Sequence, residues 1–357
     1  MVLEVFEVGP CQSSYQMGFL IGRRFSDLIM SRLSTDLILQ NQLLPWARTP
    51  ESCPLMEALG RSNRHKFPEY WDELVGMADG SGAPFLEVPL LIMLINFRKE
   101  ILPFLPSPEL VIECSDVLVV DESMAIAAHN EDNIDTLLGR TYLVRATLPN
   151  QITFIAYTYA GELPSCAFGL NSSGLAFTLN AVPPSKDEIV FGGIGRNFVS
   201  RNLLEAASMS DAMDRIRSSE VSVGHSYNLV DARLRKILNV ETASRGRLSV
   251  HEVGADPFFH ANMYLHLPAT QVHDENSISR QNRAAMLPKR SKEDFLSVLG
   301  DMEDPKYPIF MTGPRLYTLC TVLMDLDRQT LSILQGNPKN GEISHVFSML
   351  TSELLSA

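Results

Sequence analysis

The chain has 357 residues, of which 45% are hydrophobic and 20% charged, and its formal net charge is −12. That balance is ordinary for a soluble protein with a large core. The acidity, and the lack of any lysine- or arginine-rich run, argue against a nucleic-acid surface.

The longest apolar run, VPLLIMLINF at 88–97, is too short to span a bilayer. The first ten residues carry two glutamates and no basic region, so they do not read as a secretory signal. The last eight, LTSELLSA, do not end in a peroxisomal tripeptide. The cysteines at 11, 53, 114, 166 and 320 are scattered, and no pair has metal-site spacing. The expectation is a cytoplasmic protein with reduced thiols and no membrane partner.

Taken in chain order, residues 12–105 read mostly as helix. SYQMGFLIGRRFSDLIMSRL places apolar residues at helical spacing. FPEYWDELVGMADGSG reads as a helix ending at Gly80 and Gly82. PFLEVPLLIMLINFRKEIL is a more apolar helix, and the three prolines in 103–110 break the pattern. From 111 to about 182 the chain turns strand-rich. Two short strands surround the acidic turn of VIECSDVLVVDESMAIAAHNEDN, which carries Cys114 and Asp132. Residues 141–161 form a hairpin turning at Pro149-Asn150, and 165–182 another turning between Asn171 and Gly174.

A helix is expected over 197–218. Strands follow at SYNLVD, KILNVETA, RLSVHEV and NMYLHL, then helices over 277–300, and a closing hairpin, TLCTVLMDLDRQTLSILQG. Hairpins and helices without βαβ alternation indicate an α+β fold with antiparallel sheets. The compositional shift near residue 110 is the candidate boundary.

A cysteine nucleophile needs a base and oxyanion donors, and no papain-type Cys-His signature is present. A chain cut before Cys114 would free an α-amine with a pKa of about 7.7–8.0, which could take the thiol proton. Cys114 with Asp132 eighteen residues on resembles the start of the mature chain in the penicillin acyltransferase family, the acyl-CoA:6-aminopenicillanic acid (isopenicillin-N) acyltransferases. GLNSSGLAFTLNAV is similar to that family's Gly-x-Asn-Ser-x-Gly hairpin, and GIGRNFVSRNLLEAASMSDAMDRI to its following helix. FHANMYL resembles its His-Thr-Asn-His strand, YPIFMTGPRLYTLCTVLMDLDRQTLSILQGNP its closing segment, and residues 73–101 its helical pro-segment.

The resemblance implies a four-layer αββα N-terminal-nucleophile (Ntn) hydrolase sandwich with a helical N-terminal segment. It implies self-cleavage between Glu113 and Cys114, leaving a helical chain 1–113 associated with a catalytic chain 114–357. Cys114 would be the nucleophile, Asp132 would bind the α-ammonium or orient the substrate amine, Asn262 would donate in the oxyanion hole, and Arg315 would be the active-site arginine.

His260 reads as support for Asn262, and His129 as a satisfied polar residue at a strand end. The substrate would be a small amide or acyl-CoA, with an amine or water as acceptor and no metal or further cofactor. An insect branch of the family hydrolyses β-alanyl amides of biogenic amines. The chain departs from the family at Glu113, where glycine is usual, at Ser115, and at Pro314. Glycine eases the strained backbone of an N-to-S acyl shift. Glu113 therefore leaves open a second reading, an unprocessed, inert binding protein on the same fold.

Overall fold

The computed structural model describes residues 3–82, 88–106, 114–164 and 166–350. Glu113, the expected residue before the scissile bond, lies outside the described residues. Strand β1 (Val5–Val8) precedes a helical third: α1 (Ser14–Arg24), α2 (Ser26–Thr35), α3 (Leu44–Ala47), α4 (Cys53–Lys66), α5 (Pro68–Gly80), α6 (Val88–Asn96) and α7 (Arg98–Ile101). Strands β2 (Ser115–Val120), β3 (Ala125–Ile134), β4 (Thr141–Thr147), β5 (Thr153–Tyr159), β6 (Phe168–Asn171) and β7 (Leu175–Ala181) follow. Helices α8 (Arg196–Leu203) and α9 (Met209–Arg217) lead to β8 (His225–Asp231), β9 (Lys236–Ala243), β10 (Arg247–Glu252) and β11 (Phe258–His260). The chain closes through α10 (Glu275–Ala285), α11 (Lys292–Leu299), β12 (Leu316–Asp325), β13 (Thr330–Leu334) and β14 (Ile343–Ser348).

The strands form two sheets, ordered β1-β4-β5-β6-β7-β8-β9-β10 and β11-β2-β3-β12-β13-β14. Pairing is antiparallel throughout except β1 with β4. Alternation along each strand sorts the side chains into three apolar layers. Tyr142 and Val144 of β4 pack with Ile21, Ile29 and Phe198 of the helices. Leu143 of the same strand packs between the sheets with Ala127 and Val322. Val117, Ile126 and Leu323, on the far face of the second sheet, meet Phe295 and Val298 of α11. The result is the αββα sandwich that the resemblance implied.

Local chemistry explains the helix boundaries. Ser13, Ser208, Asp274 and Ser291 each accept a backbone N–H of the first turn. α1 and α5 cross so closely that a Cβ added at Gly18 would collide with the Glu73 carbonyl oxygen. That contact ties the helical segment together over the first sheet. Among the described residues no helix is long and apolar enough to cross a membrane.

Two expectations are corrected. The helix over 197–218 is two helices, because Asn171 Nδ2 takes the carbonyls of Leu204 and Ala206 at 3.0 and 2.8 Å. The helices expected over 277–300 are α10 and α11, with Ser291 capping the second. NMYLHL is not a strand: the chain leaves β11 at His260, and residues 265–267 curl their N–H groups around the buried Glu241 carboxylate. β1 and β14 are additional strands at the edges of the two sheets.

Candidate active site

β2 and β3 bring the site together. Their register sets Asp116 opposite His129 and Ser115 opposite Asn130. Alternation then sends Asp116, His129 and Glu131 to the face toward the first sheet, and Asn130 and Asp132 to the other. Cys114, just before β2, is buried, and its φ of +96° lies in the left-handed region that a side chain disfavours.

Its Sγ stands 3.6 Å from Glu131 Oε2. His129 Nε2 lies 3.1 Å from the same oxygen, and His129 Nδ1 lies 2.9 Å from Asp116 Oδ1. Tyr159 donates its hydroxyl to the other Glu131 oxygen, and Asn133 Nδ2 donates to Tyr159 at 3.0 Å. Behind Asp116 a polar ladder crosses to the first sheet. Thr178 Oγ1 donates to Asp116 at 2.9 Å, Asn228 to Thr178 at 2.9 Å, and Asn239 to Asn228 at 2.8 Å. Such a network fixes the His129 ring.

The electrostatics follow from burial and partners. Burial first, and then the Glu131 charge, push the Cys114 thiol up to about 12, against a hydrogen bond from His129. Burial also raises the Glu131 carboxyl. Burial disfavours protonated His129, but the Asp116 charge and the hydrogen bonds around the ring outweigh it and hold the imidazole well above the usual histidine range. Asp132 is fully buried, with Oδ1 accepting from Thr318 Oγ1 at 2.5 Å. Burial raises its carboxyl to about 7 even though Arg280 and Thr318 pull it down. Burial thus disfavours the Cys114 thiolate, although the Glu131 carboxyl stands beside the sulfur.

Cys114 Sγ, a His129 nitrogen and a Glu131 oxygen all lie within 4.8 Å of one another, a spread that one metal ion could bridge. Hydrogen bonds already join these three groups.

Arg280 of α10 is the arginine beside Cys114. It is fully buried, and its Nη1 donates to the Cys114 carbonyl and, at 2.8 Å, to Ser115 Oγ. Its Nη2 donates to Asn262 Oδ1 at 2.8 Å, and its Nε to Asn276 Oδ1 at 2.7 Å. One planar fork therefore ties the Cys114 backbone to Asn262. Asn262 Nδ2 in turn donates to the Ala181 carbonyl at 2.9 Å.

Arg315 lies on the exposed segment before β12, where it lines a separate cavity of about 460 Å³. His260 is buried and faces Glu241 at 3.3 Å, and Asn180 donates to the backbone around it. His129 sits inside β3 rather than at a strand end, and Asp132, on the same strand, is buried.

The thiol opens onto a small cavity of about 20 Å³, room for roughly one water. Lys99 of α7, Arg196 at the start of α8, Leu179 and Ala181 share its wall with Glu131 and Asp132. The sequence reading missed Arg280, Glu131, Asp116 and Tyr159. The one available signal was the run of polar residues in HNED, at strand positions where core was expected.

Known proteins are similar to parts of this chain's sequence. The family model for acyl-coenzyme A:6-aminopenicillanic acid acyl-transferase matches residues 119–340. A curated relative, beta-alanyl-dopamine/carcinine hydrolase of Drosophila melanogaster, is 26% identical over 359 residues, covering 92% of this chain and 92% of its own.

Among solved structures, a Caenorhabditis elegans ortholog of N-acylethanolamine-hydrolyzing acid amidase superposes with a TM-score of 0.43 at 14% identity. That alignment covers 60% of this chain and 93% of that one. A mutant of conjugated bile acid hydrolase from Clostridium perfringens gives 0.43 at 12% identity, over 68% and 94%. With the family model spanning well over half of its length, this chain belongs to the acyl-coenzyme A:6-aminopenicillanic acid acyl-transferase family.

Proposed function

We propose that this chain is a self-processing acyl-transfer enzyme whose nucleophile is Cys114, acting on small amides. The observation that carries the reading is the placement of Cys114. A buried thiol stands at 3.6 Å from a carboxylate that His129 and Tyr159 brace, in a backbone conformation that costs about 1–3 kcal/mol. The φ of Cys114 is defined by its bond to residue 113, so cutting that bond releases the strain. Such strain at a nucleophile favours the intact-to-cut direction.

Cutting also replaces the amide nitrogen of Cys114 with an amine of pKa about 7.7–8.0. That amine takes the thiol proton. The thiolate adds to the substrate carbonyl, and the C–N bond breaks as the amine departs with the proton, leaving a thioester on Cys114. Water or a second amine then cleaves the thioester and restores the thiol. Asn262, held in place by Arg280, supplies an oxyanion donor, and buried Asp132 orients the α-amine. The 26% identical relative is named for hydrolysis of beta-alanyl-dopamine and carcinine, which supports amides of small amines as the substrate class and water as the acceptor.

The test is the intact mass of the purified chain under denaturing conditions, before and after incubation with an amide substrate. Two fragments, the larger starting at Cys114 and gaining an acyl mass, are expected. Cys114→Ala should remain one full-length species. Cleavage at the same bond in that variant would refute self-processing. A wild-type chain that stays whole and never gains acyl mass would favour the binding-protein reading.

A further inference from the structure

A cavity of about 340 Å³ lies beside the nucleophile's cleft and shares Lys99 and Ala181 with it. Its size is at the lower end of small-molecule sites. The wall is mainly apolar, built by Leu105, Pro106, Val182, Pro183, Ile189 and Val223. Among the described lining residues, the one buried polar side chain is His225, which is 2% exposed.

His225 stands opposite Ala181 in the β7–β8 register, so both side chains share the face that turns toward the helical segment. Neither His225 ring nitrogen makes a hydrogen bond among the described residues. The backbone at Val223 is near enough to favour the protonated ring weakly, but it does not reach hydrogen-bond geometry with either nitrogen. A buried imidazole without partners is costly to keep unless something else satisfies it.

Charge narrows what that is. The charged residues lining the cavity are Lys99 and Lys186, with no carboxylate among the described lining. Burial, reinforced by the Arg196 and Lys99 charges, holds His225 neutral. A neutral imidazole offers one N–H donor and one nitrogen acceptor, the complement of a hydroxyl.

We propose that this cavity receives one half of the substrate, an uncharged apolar group ending in a hydroxyl or an equivalent neutral donor–acceptor, and that His225 reads that end. The assignment of the occupant as a substrate half rests on Cys114 being the nucleophile. The pocket itself does not. A cationic end is rejected by Lys99 and Lys186, and a purely apolar end leaves His225 unsatisfied. Selectivity of this kind comes from the site's own buried polar group losing its partner.

Three probes of one ring size test this on the full chain: cyclohexanol, methylcyclohexane and cyclohexylammonium, with binding followed by NMR of the imidazole resonances and by titration calorimetry. Cyclohexanol should bind about tenfold or more tightly than methylcyclohexane and shift His225, and the ammonium should not compete. His225→Phe should bring the alcohol-to-hydrocarbon ratio to about one. His225→Gln, whose amide both donates and accepts, should keep the preference, and this guards against a fold defect in the first variant. A ratio unchanged in His225→Phe, equal binding of the ammonium, or no binding of any probe would overturn the proposal.

Cyclohexanol should also raise KM for amide turnover without lowering kcat. Tight, His225-dependent binding with no thioester on Cys114 would refute the nucleophile and spare the pocket. A thioester without such binding would do the reverse.

Discussion

Glu241 offers a sharp test of how the site is held, although it touches no substrate. Its carboxylate is buried on β9. Oε1 accepts from Leu265 N at 2.7 Å and faces His260 Nε2 at 3.3 Å, and Oε2 accepts from His266 N at 2.9 Å and Leu267 N at 2.6 Å. These bonds bend the 261–267 segment, and Asn262 rides on it. Burial alone would raise the carboxyl, but His260 and the backbone donors win and hold it down at about 2.

Against an ordinary glutamate near 4.3, the difference corresponds to a ceiling of ~3 kcal/mol, and partial solvation trims it to ~2 kcal/mol. In Glu241→Gln one oxygen becomes an NH2 group that meets backbone donors, adding an unsatisfied-donor cost of ~1–3 kcal/mol. The expected loss is therefore about 3–5 kcal/mol in equilibrium urea unfolding at pH 7.

The pH dependence has a definite sign. A group whose folded pKa is depressed contributes stability above its unfolded pKa and loses it as pH falls. The gap between wild type and Glu241→Gln should be full at pH 6–7 and shrink as the pH falls from about 5 toward 2. Turnover should fall as well, through kcat, because Asn262 shifts. A gap under about 1 kcal/mol, or one constant with pH, would refute the idea that this carboxylate organises the segment.

Other substitutions probe the remaining parts. Arg280→Lys keeps the charge but not the fork, so Asn262 Oδ1 or the Cys114 carbonyl loses its donor. Stability should drop by ~2–4 kcal/mol in urea unfolding, and kcat should fall more than KM changes. Asn262→Ala should lower kcat by ~10²-fold or more in steady-state assays while self-cleavage, read by intact mass, persists.

Asp132→Asn should abolish or sharply slow turnover and yet flatten the pH–stability curve. Asp132 is raised to about 7, so its contribution is present in acid and lost as pH climbs from about 4 through 7. The variant should gain on wild type by on the order of 1 kcal/mol per pH unit across that window, and parallel curves would refute the buried-charge account.

Much of the frame was legible in the residues. Alternation in β4, β7 and β12 and the helical spacing of α1 and α5 are local patterns, so the α+β class and most hairpins followed from them. Cys114, Asp132 and Asn262 were singled out because motifs of the family resemblance keep their order along the chain, and all three lie around Arg280 or the thiol. Where the pattern failed, a side chain from elsewhere had taken the backbone's hydrogen bonds. Asn171 broke the 197–218 helix, and Glu241 bent 265–267 out of a strand.

Arg280 and His225 were invisible for a related reason. Arg280 lies 166 positions from Cys114, and its surrounding ENSISRQNRAA looks like any amphipathic surface helix. His225 belongs to a strand whose neighbours across the sheet and above it decide whether its nitrogens find partners. Sequence periodicity settles which face of an element turns inward, because that depends on residues a few positions apart. Which charge meets which thiol, and which polar group is left waiting in a cavity, depends on contacts between residues far apart in the chain, and only the packed sandwich decides those.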